Sequence, residues 1–208
     1  NNPHHAYDVW THTLIALENA PADPVYRLTM LFHDSGKTAA HTVGEDGYDH
    51  FKGHPAISRD IAEAALFAMK SDRATMNRVL ALITEHDLRI PAEPKSVRRQ
   101  MARIGSDLFE ALFPVFRADL LAQNPAMIPE KLRVEEALER VFREEVARNV
   151  CVKISDLAVN GRDLMALGIT GPDVGRTLKT LLDKVVSEEL PNEREALLAA
   201  CQTRRPDA

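Results

Sequence analysis

Leu31-Phe32-His33-Asp34-Ser35-Gly36-Lys37 is the stretch on which the fold of this chain turns. An apolar run ends abruptly in a histidine and an aspartate side by side, and a glycine and a lysine follow. One imidazole and one carboxylate at a single place make a good start for a divalent metal site. They are a poor way to end a buried helix for any other reason. The remaining ligands must come from elsewhere in the chain, so the fold has to converge on this point.

Upstream, a helix is expected from about Ala6 to Asn19, with Leu14, Ile15 and Leu17 as apolar contacts and Pro21 as its stop. A second starts near Asp23-Pro24, an aspartate N-cap followed by a proline at the first helical position. It carries Leu28, Leu31 and Phe32 into His33-Asp34, and Gly36 reads as its stop. From Thr38 to Phe51 the pattern changes, and Gly44-Glu45-Asp46-Gly47 reads as the tip of a small hairpin.

Further helices are expected from Pro55 to Lys70, from Ala74 to His86 and, short and basic, from Lys95 to Ile104. Gly105-Ser106-Asp107 then opens a longer apolar helix through Leu121, with Pro114 inside it as a candidate kink. Pro129 to Asn149 is long and charged, with Leu132, Ala137, Leu138 and Val141 as its seam, and reads as a solvent-facing helix or connector. Beyond Cys151, Gly168, Gly171 and Gly175 punctuate the entry to another helix, and a last one follows Pro191-Asn192. The expected class is all-α: a helical bundle over residues 1–149, a smaller helical tail over 150–208, and at most one small β-hairpin.

The bulk properties agree. The 208 residues suffice for one substantial core or one domain with a smaller appendage. With 45% hydrophobic and only 5% aromatic residues, the balance favours helices over a β-sandwich. A formal charge of -5 excludes a global basic field, so any phosphate or RNA contact needs a local patch. Cys151 and Cys201 build neither a disulfide framework nor a cysteine zinc knuckle, which points to a reducing, cytoplasmic setting. No run approaches a transmembrane span and the start lacks a signal-peptide pattern, so no membrane partner is expected. The chain opens Asn1-Asn2-Pro3 without an initiator methionine, as a fragment of a longer protein would.

Candidate ligands sit at the other helices. His12 lies on the first, His54 opens the third, His86 closes the fourth, and Asp119 lies on the apolar helix. Facing helices build metal centres in this way. Singly, each residue has a commoner explanation: a surface histidine, a cap, a partner for a helix dipole, a local ion pair with Arg117. In one ordered set they form a far more specific pattern.

The series His12, His33-Asp34, His54, His86, Asp119 resembles the HD superfamily of metal-dependent phosphohydrolases, and His33 to Lys37 matches its signature. The resemblance implies that His12, His33, Asp34 and Asp119 hold one metal. His54 and His86 with Asp34 would hold a second, Asp34 bridging the two. Asp34 and Lys37 are the catalytic candidates, Lys37 as a cation for phosphate. Two divalent ions about 3.5–4 Å apart clamp a phosphoryl group and activate water near neutral pH. Magnesium prefers oxygen, so four imidazoles favour manganese, iron, cobalt, nickel or zinc as the one or two ions. His41 and His50 read as surface positions.

The likeness extends further. His5-Ala6-Tyr7-Asp8-Val9-Trp10-Thr11-His12, Gly47 to His54, Lys95 to Arg99, Ala118 to Asn124, Asn160 to Leu164 and Leu190 to Glu195 resemble the HD region and tail of bacterial CCA-adding tRNA nucleotidyltransferases. This implies a phosphohydrolase of the 2′,3′-cyclic phosphodiesterase or phosphatase type, acting on a nucleotide or RNA-terminal phosphate, with tRNA as a candidate partner. The polymerase head of those enzymes, with its Asp-x-Asp pair and glycine-rich nucleotide loop, has no counterpart in this sequence. No nucleotide addition is expected from this chain alone. The alternatives are a non-catalytic tRNA-binding scaffold and an HD nucleotidase acting on free nucleotides. Lys95, Arg98, Arg99 and Arg103 recur at helical spacing and are the candidate RNA-phosphate contacts, in a tail region that could also touch RNA.

Overall fold

The computed structural model describes residues 7–45 and 47–202. The all-α class holds: helices α1 (Val9–Asn19), α2 (Pro24–Phe32), α3 (Lys37–Ala40), α4 (His54–Ala68), α5 (Arg73–Glu85), α6 (Pro94–Ile104) and α7 (Ser106–Leu121) come first. They are followed by α8 (Ile128–Ala147), α9 (Gly161–Ala166), α10 (Pro172–Val186) and α11 (Arg194–Gln202). The one sheet among the described residues is a two-stranded antiparallel ribbon, β1 (Thr42–Val43) with β2 (Asp49–His50), in the register Thr42 to His50 and Val43 to Asp49. Ala6, where the first helix is expected to start, His5, and Asp46 of the expected hairpin tip lie outside the described residues.

The chain divides into two compact units. The first comprises Asn1–Arg89 and Asp107–Ala137, the second Ile90–Ser106 and Leu138–Ala208. Residues 90–106 and 138–149, expected with the bundle, therefore group with the tail, and the division falls inside α8.

In the first unit the helices start where local chemistry provides a cap. Asp8 accepts from the backbone N–H groups of Trp10 and Thr11, Asp23 from Val25, and Asp72 from Thr75. Helix α4 packs on α5, α2 on both, and α1 on α2. Ala62, Leu66, Val79, Leu80 and Ile83 form a buried core that Val25, Leu28, Phe32 and Met76 flank. The apolar faces read from the sequence thus meet in one place.

Gly36 is not the stop of α2, which ends at Phe32. Its φ of -80° is ordinary right-handed backbone, and the chain turns through it into α3. A Cβ at this position would lie 2.6 Å from both His54 O and Ser58 N. Position 36 is glycine because the backbone of α4 passes against it, not because a helix must end.

The second unit is built around α10. Leu157, Val159, Leu164, Leu178, Leu181, Leu182, Val186 and Leu197 are buried together. Asn160 and Asp163 form a reciprocal capping box at the start of α9. Helix α8 is not a purely solvent-facing connector. Glu135, Leu138, Phe142 and Glu145 are buried along it at helical spacing, whereas Leu132, Ala137 and Val141 of the expected seam are half-buried. Two glutamates can occupy that stripe because each meets a guanidinium. Glu135 pairs with Arg117 at 2.7 Å, and Glu145 pairs with Arg98 at 3.4 Å and Arg148 at 3.0 Å.

Candidate metal centre

His12, His33, Asp34, His54, His86 and Asp119 converge within the first unit. Ligand atoms of His12, His33, Asp34 and Asp119 all lie within 4.8 Å of one another, as do those of Asp34, His54 and His86. All but Asp119 are buried, and Asp119 is half-buried. Helix α1 supplies His12, the turn after α2 supplies His33 and Asp34, and the first residue of α4 is His54. His86 follows the last residue of α5, and Asp119 sits in the final turn of α7.

Each histidine is oriented by a backbone carbonyl. His12 Nδ1 lies 3.0 Å from Ala122 O, His33 Nδ1 2.7 Å from Met30 O, His54 Nδ1 2.9 Å from Phe51 O, and His86 Nδ1 2.7 Å from Ile83 O. A carbonyl oxygen only accepts, so each Nδ1 donates to its carbonyl and each Nε2 is turned to the centre. The Nε2 atoms face each other in pairs, at 3.2 Å between His12 and His33 and 3.1 Å between His54 and His86. Two opposed ring nitrogens at that distance need a positive charge between or beside them. Imidazole Nε2 atoms with Nδ1 fixed on carbonyls are the arrangement a bound transition metal requires.

Asp34 divides its carboxylate between the two sets. Oδ2 lies 3.3 Å from the Nε2 atoms of both His12 and His33. Oδ1 lies 3.2 Å from His54 Nε2 and 3.7 Å from His86 Nε2. Lys37 Nζ stands 2.7 Å from Oδ2, yet off the direction of a hydrogen bond, so this buried oxygen has an ion pair and no hydrogen-bond donor. The residues present fit one or two divalent ions.

The electrostatics of the site are those of a cation-seeking cluster. Burial pulls His33 down, but the Asp34 and Asp119 carboxylates outweigh it and push the imidazole up to about 10. Burial would raise Asp34, and His33, with hydrogen bonds from His54 and His86, instead holds it well below the usual carboxylate range. Asp119 is depressed in the same sense, burial being outweighed by His12 and His33. A proton on His33 does the work in the metal-free protein that a metal ion would take over.

The centre opens into a cleft of about 280 Å³ whose lining includes Asp34, Lys37, Phe51, Lys52, Arg89 and Lys131. Lys37 is buried and holds its ammonium 5.7 Å from the Phe51 ring centroid. His50 lines the same cleft, and His41 instead pairs with Asp49 at 2.7 Å, holding that carboxyl down to about 2. Sequence reasoning missed Gln123 and Lys131, which also line the cleft. Gln123 lies four residues beyond Asp119, a spacing that could have drawn attention to it.

On α6 the basic residues do not share one role. Lys95, Arg99 and Arg103 are exposed on one side. Arg98 is mostly covered and paired with Glu145 and, at 2.7 Å, with Glu188. Arg99 and Arg103 line a cleft of the second unit together with Lys153, Lys179 and Lys184.

Comparison with known proteins finds likenesses along the chain. Residues 119–201 match the tRNA nucleotidyltransferase domain 2 family. The chain is 32% identical over 200 residues to the CC-adding tRNA nucleotidyltransferase of Thermus thermophilus, covering 92% of this chain and 44% of that protein. The chain is related to the tRNA nucleotidyltransferases. It is also 29% identical over 202 residues to the A-adding tRNA nucleotidyltransferase of Deinococcus radiodurans, covering 92% of this chain and 46% of that one. A 66-residue stretch is 44% identical to the CCA-adding enzyme of Latilactobacillus sakei. The chain spans less than half the length of these curated relatives. No solved structure matches it significantly. Among the described residues no helix is long and apolar enough to cross a membrane.

Proposed function

We propose that the chain is the tRNA-handling portion of a tRNA nucleotidyltransferase-like protein, and that its metal centre hydrolyses a phosphate ester on a nucleotide or RNA terminus. The observation that carries the hydrolytic part is Asp34, whose two oxygens serve two buried histidine pairs at once. His12, His33, Asp34 and Asp119 would hold one ion, and Asp34, His54 and His86 a second. Four imidazoles among the donors favour manganese, iron, cobalt, nickel or zinc over magnesium. A divalent ion bound there supplies Lewis acidity, bringing the pKa of water to about 7 and offsetting phosphoryl charge. The protein's own part is orientation and charge. The four carbonyl contacts fix the rings, and Lys37 offers a buried ammonium beside Asp34 on the cleft wall, where a phosphate oxygen would enter.

The tRNA part rests on the names of the relatives, each a tRNA nucleotidyltransferase or a CCA-adding enzyme. In the second unit Lys95, Arg99 and Arg103, with Lys153 and Lys179, would neutralise backbone phosphates. A second reading is favoured by those same names, which speak of nucleotide addition and not of hydrolysis. In it the chain binds tRNA without cleaving anything, and the metal braces the bundle. Nucleotide addition by the chain alone is not expected under either reading.

The experiment is an assay of 2′,3′-cyclic AMP and p-nitrophenyl phosphate with added manganese or nickel, alongside tRNA binding at low salt. Turnover that His33→Ala abolishes supports hydrolysis. Metal and tRNA binding with no turnover establishes the scaffold. A panel of free nucleotides against RNA-linked phosphates separates either from a nucleotidase.

A further inference from the structure

Asp119 carries its ligand role on one oxygen only. Its Oδ1 lies 2.9 Å from His12 Nε2 and 3.4 Å from His33 Nε2. Its Oδ2 accepts a hydrogen bond of 2.8 Å from Gln123 Nε2. The other end of that amide is also occupied, because Lys131 on α8 donates its ammonium to Gln123 Oε1. An amide has two ends of opposite polarity. With its oxygen on a cation and its nitrogen on a carboxylate, neither can reverse without facing a like partner.

We infer that Gln123 is a positioning residue for the first metal set, locking the Asp119 carboxylate in the rotamer that turns Oδ1 to the histidines, with Lys131 fixing the amide from behind. This rests on the reading of His12, His33, Asp34 and Asp119 as metal ligands. The stretch leaving α7 then acts twice on that set. Gln123 holds Asp119, and the adjacent Ala122 carbonyl accepts from His12 Nδ1. The members of the second set, Asp34 in the turn after α2, His54 at the start of α4 and His86 just past α5, do not lie on the stretch leaving α7. The effect of losing Gln123 is therefore confined to one of the two sets. Partners of this kind are worth roughly 10- to 100-fold in metal affinity.

The test is titration of the metal-free protein with manganese, followed by calorimetry and by electron paramagnetic resonance of the free ion. The background is His86→Ala, in which only the first set is complete. Adding Gln123→Met should weaken binding by at least about tenfold and leave the thermal midpoint of the metal-free protein unchanged. Lys131→Met, which spares the bond to Asp119, should weaken it less. Binding in the Gln123→Met protein equal to that of its background overturns the inference. So does a fall in metal-free stability that accounts for the whole loss. If the His86→Ala background itself binds no manganese, the metal reading fails along with this one. A background that binds and a variant that binds equally well removes only the role of Gln123.

Discussion

Gly36 donates its backbone N–H to Ser58 Oγ across 2.9 Å, and this bond ties the turn that carries His33 and Asp34 to α4, one turn beyond the His54 that opens it. A side chain has no room there, since an added Cβ would meet backbone atoms His54 O and Ser58 N at 2.6 Å each. Backbone cannot yield as the end of a flexible side chain can. Gly36→Ala should therefore cost about 1–3 kcal/mol of stability and spread the two ligand sets apart. Urea denaturation should show the loss, and manganese binding should weaken with it. An alanine variant as stable as the parent would mean that α4 does not pass so close.

The division of Asp34 between the two sets predicts an unequal response to ligand removal. Asp34→Asn takes a charged oxygen from both and should abolish tight binding at each. His86→Ala removes one ligand of the second set only, and His12→Ala one ligand of the first. Each should leave about one tightly held ion per chain where the parent holds up to two. Metal content after dialysis, read by plasma emission, checks all three. Loss of all tightly held metal in both His12→Ala and His86→Ala would show that the six residues form one indivisible site.

Acidity around His33 gives metal binding a defined pH dependence. Its imidazole is raised to about 10, so at neutral pH it carries a proton that a metal must displace. Asp34 and Asp119 are lowered and already ionised there, and they release none. Affinity should therefore rise roughly tenfold per pH unit between about 6.5 and 8.5. The metal-free protein should show the opposite trend. A raised histidine stabilises the fold fully below its ordinary value of 6.5, and that contribution is lost as pH climbs through about 10. The two lowered carboxylates stabilise above their ordinary value of 3.8 and give that up only as acid protonates them. The measurements are proton release on adding zinc and the metal-free thermal midpoint across this range. A flat midpoint from neutral to alkaline pH would contradict the charged pair.

The sequence exposes some of this far better than the rest. Helices α1, α2, α5 and α7 were readable because their apolar residues recur at helical spacing, and the Asp23 cap with Pro24 marks the start of α2. The ligand set was readable from residue type and order, through resemblance, since nothing in the spacing of His12, His54 and Asp119 contains a distance. Close approach is invisible in sequence, and Gly36 therefore reads as a helix stop when it is a packing contact. The end of α10 was hidden for a related reason: Glu188 takes a positive φ after it, where glycine would have marked the turn. Buried charge misleads in the same way. Hydrophobic periodicity assigns Glu145 and Arg98 to water, and only three-dimensional proximity reveals that each covers the other.

That last pair separates the basic residues of α6 into two predicted classes. Arg98 stands between Glu145 and Glu188 and is mostly covered, so its charge is spent on the fold. Arg98→Met leaves the buried Glu145 with Arg148 alone and should cost roughly 3 kcal/mol. Lys95, Arg99 and Arg103 are exposed, and replacing all three with Gln should leave stability within about 0.5 kcal/mol. In the proposed tRNA complex they would neutralise phosphates. Each phosphate neutralised releases counterions, so binding falls steeply with salt, and losing three contacts should flatten the slope of log affinity against log salt by about 2 to 3. Filter binding of tRNA at several salt concentrations, with parent, Arg98→Met and the triple variant, reads both classes at once. A triple variant with an unchanged slope would take α6 out of the RNA surface. An Arg98→Met protein that keeps its stability but loses the slope would reverse the assignment.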